Sequence, residues 1–184
     1  VPPLDAMKAF FKDQFFYQLY FQPPGVAEAA FEKDVRTALR KFYHMASGEL
    51  DLSTLTEKSA DDDMLTSLTD PEKIGDWLTS DDLDFYVNEF THSGFAGPLN
   101  YYRNHNLTWD LSANKPTEIH QPALFVAGER DGVIAMTGPA PENMPHFVKD
   151  LRTNVLIPKI GHWTQQEAPD AVNGYLLDWL AGLN

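Results

Sequence analysis

Two polar residues, Asp131 and His162, are the strongest candidates for chemistry in this sequence. Asp131 follows the apolar run Ala123–Gly128, and His162 follows a second apolar run, Val155–Pro158. Each residue therefore stands at the C-terminal end of a predicted buried strand, which is where open α/β sheets place their active sites. A carboxylate that orients a histidine makes that histidine an effective base toward a hydroxyl or a water. We predict that these two residues form the acid–histidine pair of a catalytic triad.

Other interpretations of the two residues stay open at this point. Asp131 precedes Gly132, and Asp-Gly is a common turn pair. Glu129, two residues before Asp131, is an alternative acid. His162 could be a structural histidine, but a strand end with Gly161 before it favours the catalytic interpretation. The other five histidines show no spacing typical of a metal site.

The third member of a triad is missing from the sequence. We find no small-x-nucleophile-x-small turn after a strand and no His-Gly-x-Pro loop, since Thr91–Gly94 lacks the proline at the required place. The sequence contains no cysteine, which excludes a thiol nucleophile, a disulfide and a thiolate zinc site. It also begins at Val1 without an initiator Met. We therefore expect the C-terminal part of an enzyme whose N-terminal half, in the same or a second chain, carries the nucleophile.

Composition limits the classes of partner. The 184 residues carry a formal net charge of −13, which argues against nucleic acid and anionic membrane surfaces. No apolar run reaches the length of a membrane span, and we expect no signal peptide. With 43% apolar residues the chain can form one sizeable domain or two small ones. We expect a soluble cytoplasmic protein.

The hydrophobic pattern divides the chain into two unlike halves. Up to about residue 113 the pattern is helical, with a helix predicted over 28–44 and another over 81–93, capped by Thr79 or Ser80 and stopped by Gly94. Pro98 suits the first turn of a further short helix.

The second half alternates strands and helices. We predict strands at 122–127 and 154–157, a helical stretch near 144–151, and a closing helix from Pro169. That last helix is expected to bury four apolar residues at helical spacing: Val172, Leu176, Leu177 and Leu180. A strand–helix–strand–helix order implies a parallel pair with a right-handed crossover. Two parallel strands need further strands and covering helices, so this half is expected to dock on a segment outside the sequence.

Several phrases in the chain resemble the soluble epoxide hydrolases of the α/β-hydrolase superfamily. Four of them run in the family's order: Gln18-Leu-Tyr-Phe-Gln22, Pro24-Gly-Val-Ala-Glu-Ala29, Phe85-Tyr-Val through Ser93-Gly-Phe-Ala-Gly-Pro-Leu-Asn-Tyr-Tyr-Arg103, and Gly161-His-Trp-Thr164. The resemblance implies the fold class α/β: a helical lid followed by the last strand–helix units of an α/β-hydrolase parallel sheet. Residues 1–113 would be the helical lid (cap) domain, and residues 114–184 the C-terminal part of the core domain.

The resemblance also implies a reaction. In this family an aspartate attacks a lipophilic epoxide to form an ester, two lid tyrosines donate to the ring oxygen, and a histidine with its acid activates water that releases a vicinal diol. Carried over to this chain, the tyrosines are Tyr17 and Tyr102, the acid is Asp131 and the base is His162. Tyr20 and Tyr101 are the rival tyrosines if the register differs. The ester mechanism needs only side chains and water, so no cofactor or metal is expected.

Alternatives to this function come from two classes. A haloalkane-dehalogenase-like hydrolase shares the aspartyl ester but needs halide-stabilising donors, commonly tryptophan, and Trp77 and Trp109 are the only tryptophans of the predicted lid. The other alternative is a non-catalytic fragment that binds ligands or dimerises. The expected partners are therefore a lipophilic epoxide, water and the N-terminal half of the hydrolase, with a homodimer as an open question.

Overall fold

The chain forms two compact units. The computed structural model describes residues 1–51 and 58–183. The first unit comprises Val1–Phe42, Asp51–Lys73 and Thr79–Lys115, and the second comprises Tyr43–Leu50, Ile74–Leu78 and Pro116–Asn184. The main division thus falls two residues after the predicted end of the lid, while two short N-terminal segments group with the second unit. The assignment of these units as lid and core stays a prediction.

The first unit is helical. Its elements are α1 (Pro3–Phe11), α2 (Tyr17–Tyr20), α3 (Val26–Glu32), most of α4 (Val35–Met45), α5 (Ser80–Ser93), α6 (Ala96–Arg103) and α7 (His105–Ser112). Aromatic rings hold its interior together: Phe31 lies 6.2 Å from Phe21 and 5.0 Å from Phe95, measured between ring centroids. Phe21 is almost fully buried, so it is the centre of this core.

The helix predicted over 28–44 is wrong as a single element. The structure contains two helices there, α3 and α4, with a break at residues 33 and 34. The carboxylate of Asp34 accepts the backbone N–H of Thr37 at 3.1 Å, as a residue at a helix start does. This local bond marks the start of a new helix, and the apolar spacing alone does not reveal it.

The predictions for α5 and α6 are confirmed. Thr79 begins α5 with a reciprocal capping box, because its side chain accepts the N–H of Asp82 while the Asp82 carboxylate accepts the N–H of Thr79. Gly94 ends the helix with a φ of 68°, a conformation that favours glycine. Pro98 lies in the first turn of α6.

The second unit is built on the predicted parallel strand pair. Strand β1 (Ile119–Gly128) pairs in parallel with β2 (Val148–Ile157), and Gly128 stands opposite Ile157. Between the strands lie α8 (Gly132–Thr137), α9 (Ala140–Asn143) and a 3₁₀ turn, Met144–His146. After β2 come α10 (Thr164–Glu167) and α11 (Pro169–Ala181). The two strands end side by side, so the residues that follow them meet.

Two expectations for this unit are wrong. The helical stretch predicted near 144–151 is a single 3₁₀ turn followed by strand, because pairing of Val148 with Ile119 overrides the local helical pattern. The closing helix begins at Pro169 as predicted, yet Leu176, Leu177 and Leu180 are 40%, 64% and 45% exposed. Two strands are too narrow to cover such a helix, since parallel sheets bury helices against several strands.

Within residues 1–51 and 58–183, no helix combines the length and the apolar character required to cross a bilayer.

Candidate active site

Asp131 and His162 are in direct contact. His162 Nδ1 lies 3.0 Å from Asp131 Oδ2, which is a hydrogen-bond distance. Asp131 follows β1 and His162 follows β2, so the adjacent ends of the two parallel strands bring together residues that are 31 positions apart in sequence. The side chain of Asp131 is nearly buried, whereas that of His162 is 44% exposed.

The orientation of Asp131 follows from its place at the start of α8. It is the residue that caps this helix, and its Oδ1 accepts the backbone N–H of Val133 at 2.8 Å. This bond holds one carboxylate oxygen and leaves Oδ2 for His162. Glu129, the alternative acid, instead accepts the backbone N–H of Lys159 at 3.1 Å. The structure therefore pairs His162 with Asp131.

This pair is suited to general base chemistry. When Nδ1–H donates to the carboxylate, the lone pair of the imidazole is on Nε2, the atom directed away from Asp131. A carboxylate in this position fixes the tautomer and stabilises the imidazolium that forms after proton transfer. The half-exposed ring of His162 can accept a proton from water at Nε2.

Tyr17 and Tyr102 also meet, within the first unit. Tyr17 begins α2 and Tyr102 lies near the end of α6, and their ring centroids are 5.7 Å apart with the rings nearly perpendicular. Burial raises the pKa of Tyr102 above its usual value, and the neighbouring Tyr17 raises it further. A phenol is protonated at neutral pH, and this shift further favours the protonated form of Tyr102, which is the form that donates a hydrogen bond.

The rival tyrosines are placed differently. Tyr101 is 82% exposed. The hydroxyl of Tyr20 donates to Asp63 Oδ2 at 3.1 Å, and burial together with the Asp63 charge raises the pKa of Tyr20 to about 12. Because its proton is committed to a carboxylate, Tyr20 is less suited than Tyr17 to donate to a ligand.

Two glutamines beside the tyrosines were not identified from the sequence. Gln18 Nε2 donates to the hydroxyl of Tyr17 at 2.8 Å, so this hydroxyl accepts one bond and keeps its own proton to donate elsewhere. Gln22 Nε2 donates to the carbonyl oxygens of Gln18 and Tyr102, at 2.6 and 3.1 Å, and so links α2 to α6. Both lie in the phrase after Tyr17, but only the fold shows which of them faces a tyrosine.

An ion pair next to Tyr102 reinforces the same link. Arg103 Nη1 lies 2.7 Å from Glu28 Oε1, and Arg103 Nε donates to the carbonyl of Phe21 at 2.9 Å. Glu28 is buried and also accepts the N–H of Gly25 at 2.9 Å. The hydrogen bond from Arg103 is the largest effect that lowers the pKa of Glu28 below its usual value. The pair thereby fixes the loop after α2 to the helix that carries Tyr102.

We expect Glu28→Gln to lower the free energy of unfolding at pH 7 by about 2 kcal/mol, because it removes a buried, charge-assisted pair. A carboxyl with a lowered pKa stabilises the fold fully above the unfolded-state value of about 4.3, and this contribution is lost as the pH falls through the folded-state value. The difference between wild type and variant should therefore shrink between pH 5 and strong acid. Urea unfolding across this range measures it.

The exposed Glu72→Gln provides the matched control for this experiment, because it removes the same charge from the surface of the same unit. A loss of stability in Glu28→Gln that equals the control, or that is the same at every pH, would contradict the role of the ion pair.

No metal centre is formed by the residues that the structure describes, in which no group of three or more His, Asp or Glu residues could hold an ion. The two sites present a carboxylate–imidazole pair and a pair of phenols.

Comparisons with known proteins find epoxide hydrolases among the proteins similar to this chain. No family model matches the chain. Epoxide hydrolase A of Mycobacterium tuberculosis is 36% identical over 186 residues, which cover all of this chain and 57% of that protein. The crystal structure of Epoxide Hydrolase A from Mycobacterium thermoresistibile matches with a TM-score of 0.90 at 37% identity, covering all of this chain and 58% of the other. An epoxide hydrolase from an endophytic Streptomyces gives a TM-score of 0.92 at 37% identity, covering 100% and 56%.

These matches define the class of protein: the chain has the α/β-hydrolase fold over the residues that it shares with them. Within that class it is a homologue of the epoxide hydrolases, and the resemblance inferred from the sequence is confirmed. The chain spans a little more than half the length of the three proteins named above, and it corresponds to the C-terminal part of its relatives.

Proposed function

We propose that this chain is the C-terminal part of an epoxide hydrolase that converts lipophilic epoxides to vicinal diols through an aspartyl ester. The nucleophilic aspartate would be supplied by an N-terminal segment outside residues 1–184. The observation that carries the proposal is the 3.0 Å contact between His162 Nδ1 and Asp131 Oδ2 at the ends of adjacent strands. The names of the relatives support the same reaction.

Ring opening is the first half of the proposed reaction. A carboxylate oxygen of the nucleophile bonds to a ring carbon, and the bond from that carbon to the epoxide oxygen breaks. The alkoxide that forms takes a proton from a phenol, Tyr17 or Tyr102. The pairing of their rings at 5.7 Å supports the idea that both phenols donate to one oxygen. Donors placed where charge develops stabilise the transition state.

Ester hydrolysis is the second half. Water attacks the ester carbonyl carbon and gives a proton to Nε2 of His162, while Asp131 stabilises the imidazolium. The bond between the carbonyl carbon and the ester oxygen then breaks. The imidazolium returns its proton to the departing alkoxide, and the diol is released. The proton that remains on the regenerated carboxyl group passes through solvent to the phenolate, so both the carboxylate and the phenol are restored.

The tyrosine pair supports epoxide hydrolysis over dehalogenation. A haloalkane dehalogenase would need halide donors such as Trp77 and Trp109, but Trp109 is 47% exposed, whereas the rings of Tyr17 and Tyr102 lie 5.7 Å apart. A non-catalytic binding fragment would have no need of the His162–Asp131 contact.

The proposal extends to the setting of the enzyme. The N-terminal half, in the same or a second polypeptide, is its first expected partner, and exposed leucines on α11 support a covering segment of this kind. We also propose a cytoplasmic enzyme of epoxide detoxification that can form homodimers. Cell fractionation, the epoxide sensitivity of cells that lack the protein, and sedimentation test these points.

A single-turnover reaction in H₂¹⁸O tests the mechanism. With the complete protein in excess over a terminal lipophilic epoxide, the first diol should contain no ¹⁸O, because its new oxygen comes from the aspartate. The label should instead enter the protein and appear in diol only in later turnovers. Label in the first diol would refute the ester, and turnover of a haloalkane without epoxide turnover would favour the dehalogenase.

A further inference from the structure

One carboxylate holds the backbone on both sides of His162. Glu167 Oε2 accepts the N–H groups of Gly48 and Gly161, at 2.8 and 3.0 Å. Its Oε1 accepts the N–H of Trp163 at 3.1 Å. Glu167 therefore binds the residue before His162 and the residue after it. It also joins both to a loop that lies more than a hundred positions away in sequence.

The chain segments that meet here contact each other through their backbones. A Cβ on Gly161 would lie 2.3 Å from the nitrogen of Gly48, and a Cβ on Gly48 would lie 2.1 Å from the carbonyl oxygen of Lys159. A Cβ on Gly128, at the end of β1, would lie 2.2 Å from the carbonyl oxygen of Gly161. These contacts leave no room for side chains between the segments. The backbone N–H groups therefore need an acceptor from a residue outside the close contact.

Glu167 meets this need because a carboxylate offers two acceptor oxygens and no donor. Three backbone N–H groups converge on it, and hydrogen bonds to an ionised acceptor are stronger than neutral ones. A glutamine in its place would keep one acceptor oxygen and direct an NH₂ group at the remaining N–H donors. An alanine would leave the three donors without this acceptor.

We propose that Glu167 is a positioning residue for the hydrolytic step, and this inference rests on the proposed function. The N–H of His162 itself donates to the carbonyl of Ala46 at 2.8 Å. The backbone N–H groups of residues 161 to 163 are thus all held by hydrogen bonds, and the imidazole belongs to the central residue of the three. The ring of His162 is half exposed, so side-chain packing restrains it only in part. We infer that the position of the backbone places Nδ1 next to Asp131. A displacement of about 1 Å at a catalytic group can cost roughly 10²-fold in rate.

The two half-reactions distinguish this role from a general structural one. In the proposed mechanism His162 acts only in ester hydrolysis, so a shift of His162 should leave ring opening unchanged. We expect Glu167→Gln and Glu167→Ala to slow ester hydrolysis by about 10- to 100-fold, with the rate of ester formation within about twofold of wild type. The ester should then accumulate. Glu167→Asp, which keeps two acceptor oxygens, should restore part of the hydrolytic rate.

The experiment is rapid acid quench of the complete enzyme with a terminal lipophilic epoxide, followed by intact mass to count esterified protein. The rise of the ester gives the first rate constant and its decay gives the second. The exposed Glu142→Gln, which removes the same charge from the second unit, is the matched control and should behave as wild type.

Several outcomes would overturn the inference. Unchanged ester decay in Glu167→Gln would do so, and so would an equal fall in both rate constants, because that pattern indicates a loss of folded protein. Failure of the Gln variant to fold would likewise assign Glu167 to stability. If wild type itself forms no ester, the proposed function fails instead, which separates the two conclusions.

Discussion

His162→Gln in the complete enzyme should trap the covalent ester and reduce steady turnover by about 10³-fold or more, the upper range for loss of a general base. The glutamine side chain can still hydrogen bond to Asp131, but it cannot accept a proton from water. Ring opening does not use His162 in the proposed mechanism, so each active site should react once. Intact mass after exposure to a lipophilic epoxide should show one adduct per chain that carries the nucleophile, and diol release should stop after that event.

Asp131→Asn is the informative companion to this variant. Its amide can donate to Nδ1 and would then favour the wrong tautomer of His162, with an expected loss of about 10²- to 10⁴-fold in ester hydrolysis. Glu129→Gln serves as control, because Glu129 bonds to the backbone of Lys159 in this structure. The acid–histidine assignment would be refuted if Glu129→Gln, and not Asp131→Asn, caused the ester to accumulate.

The acid–histidine pair could be predicted from the sequence because strand ends converge. Two apolar runs, each followed by a polar residue of the right type, become neighbouring parallel strands. Neighbouring parallel strands end at the same edge of a sheet, so Asp131 and His162 had to lie close together once β1 paired with β2. Nothing more than periodicity and residue type is needed for that step. The same reasoning gave α5, whose start at Thr79 and end at Gly94 are local signals.

Other features depend on contacts that periodicity does not encode. The residues of 148–151 have a helical pattern, yet they form strand because β1 offers a parallel strand to pair with. At the break between α3 and α4, the Asp34 carboxylate accepts the backbone N–H of Thr37 and so starts a new helix. The preference for Tyr17 over Tyr20 depends on the hydrogen bond from the Tyr20 hydroxyl to Asp63, which the sequence does not reveal. The contacts of Glu167 could not be predicted either, because its partners are backbone N–H groups. Every sequence contains such groups, so only the fold shows which of them a side chain reaches.

The paired substitution Tyr17→Phe with Tyr102→Phe should abolish ring opening, and it is the counterpart of the His162 experiment. Each donor to a developing oxyanion contributes about 10²- to 10³-fold, so we expect each single variant to lose this much and the double variant about 10⁴-fold or more. Phenylalanine keeps the aromatic packing between α2 and α6 and removes only the hydroxyl. The double variant should therefore fold normally, form no ester on acid quench, and keep its unfolding midpoint near that of wild type.

The rival tyrosines sharpen this test. Tyr101→Phe, at an exposed position, should leave both half-reactions unchanged. Tyr20→Phe removes the bond to Asp63, so it should lower stability while the rate of ester formation per folded molecule stays near wild type. Loss of ring opening in Tyr20→Phe but not in Tyr17→Phe would move the donor role to Tyr20. A double variant that still forms ester at the wild-type rate would mean that neither phenol meets the epoxide oxygen. Because the ester is formed before His162 acts, its rate of formation reports on ring opening and not on His162, and the two halves of the proposed reaction can be judged independently.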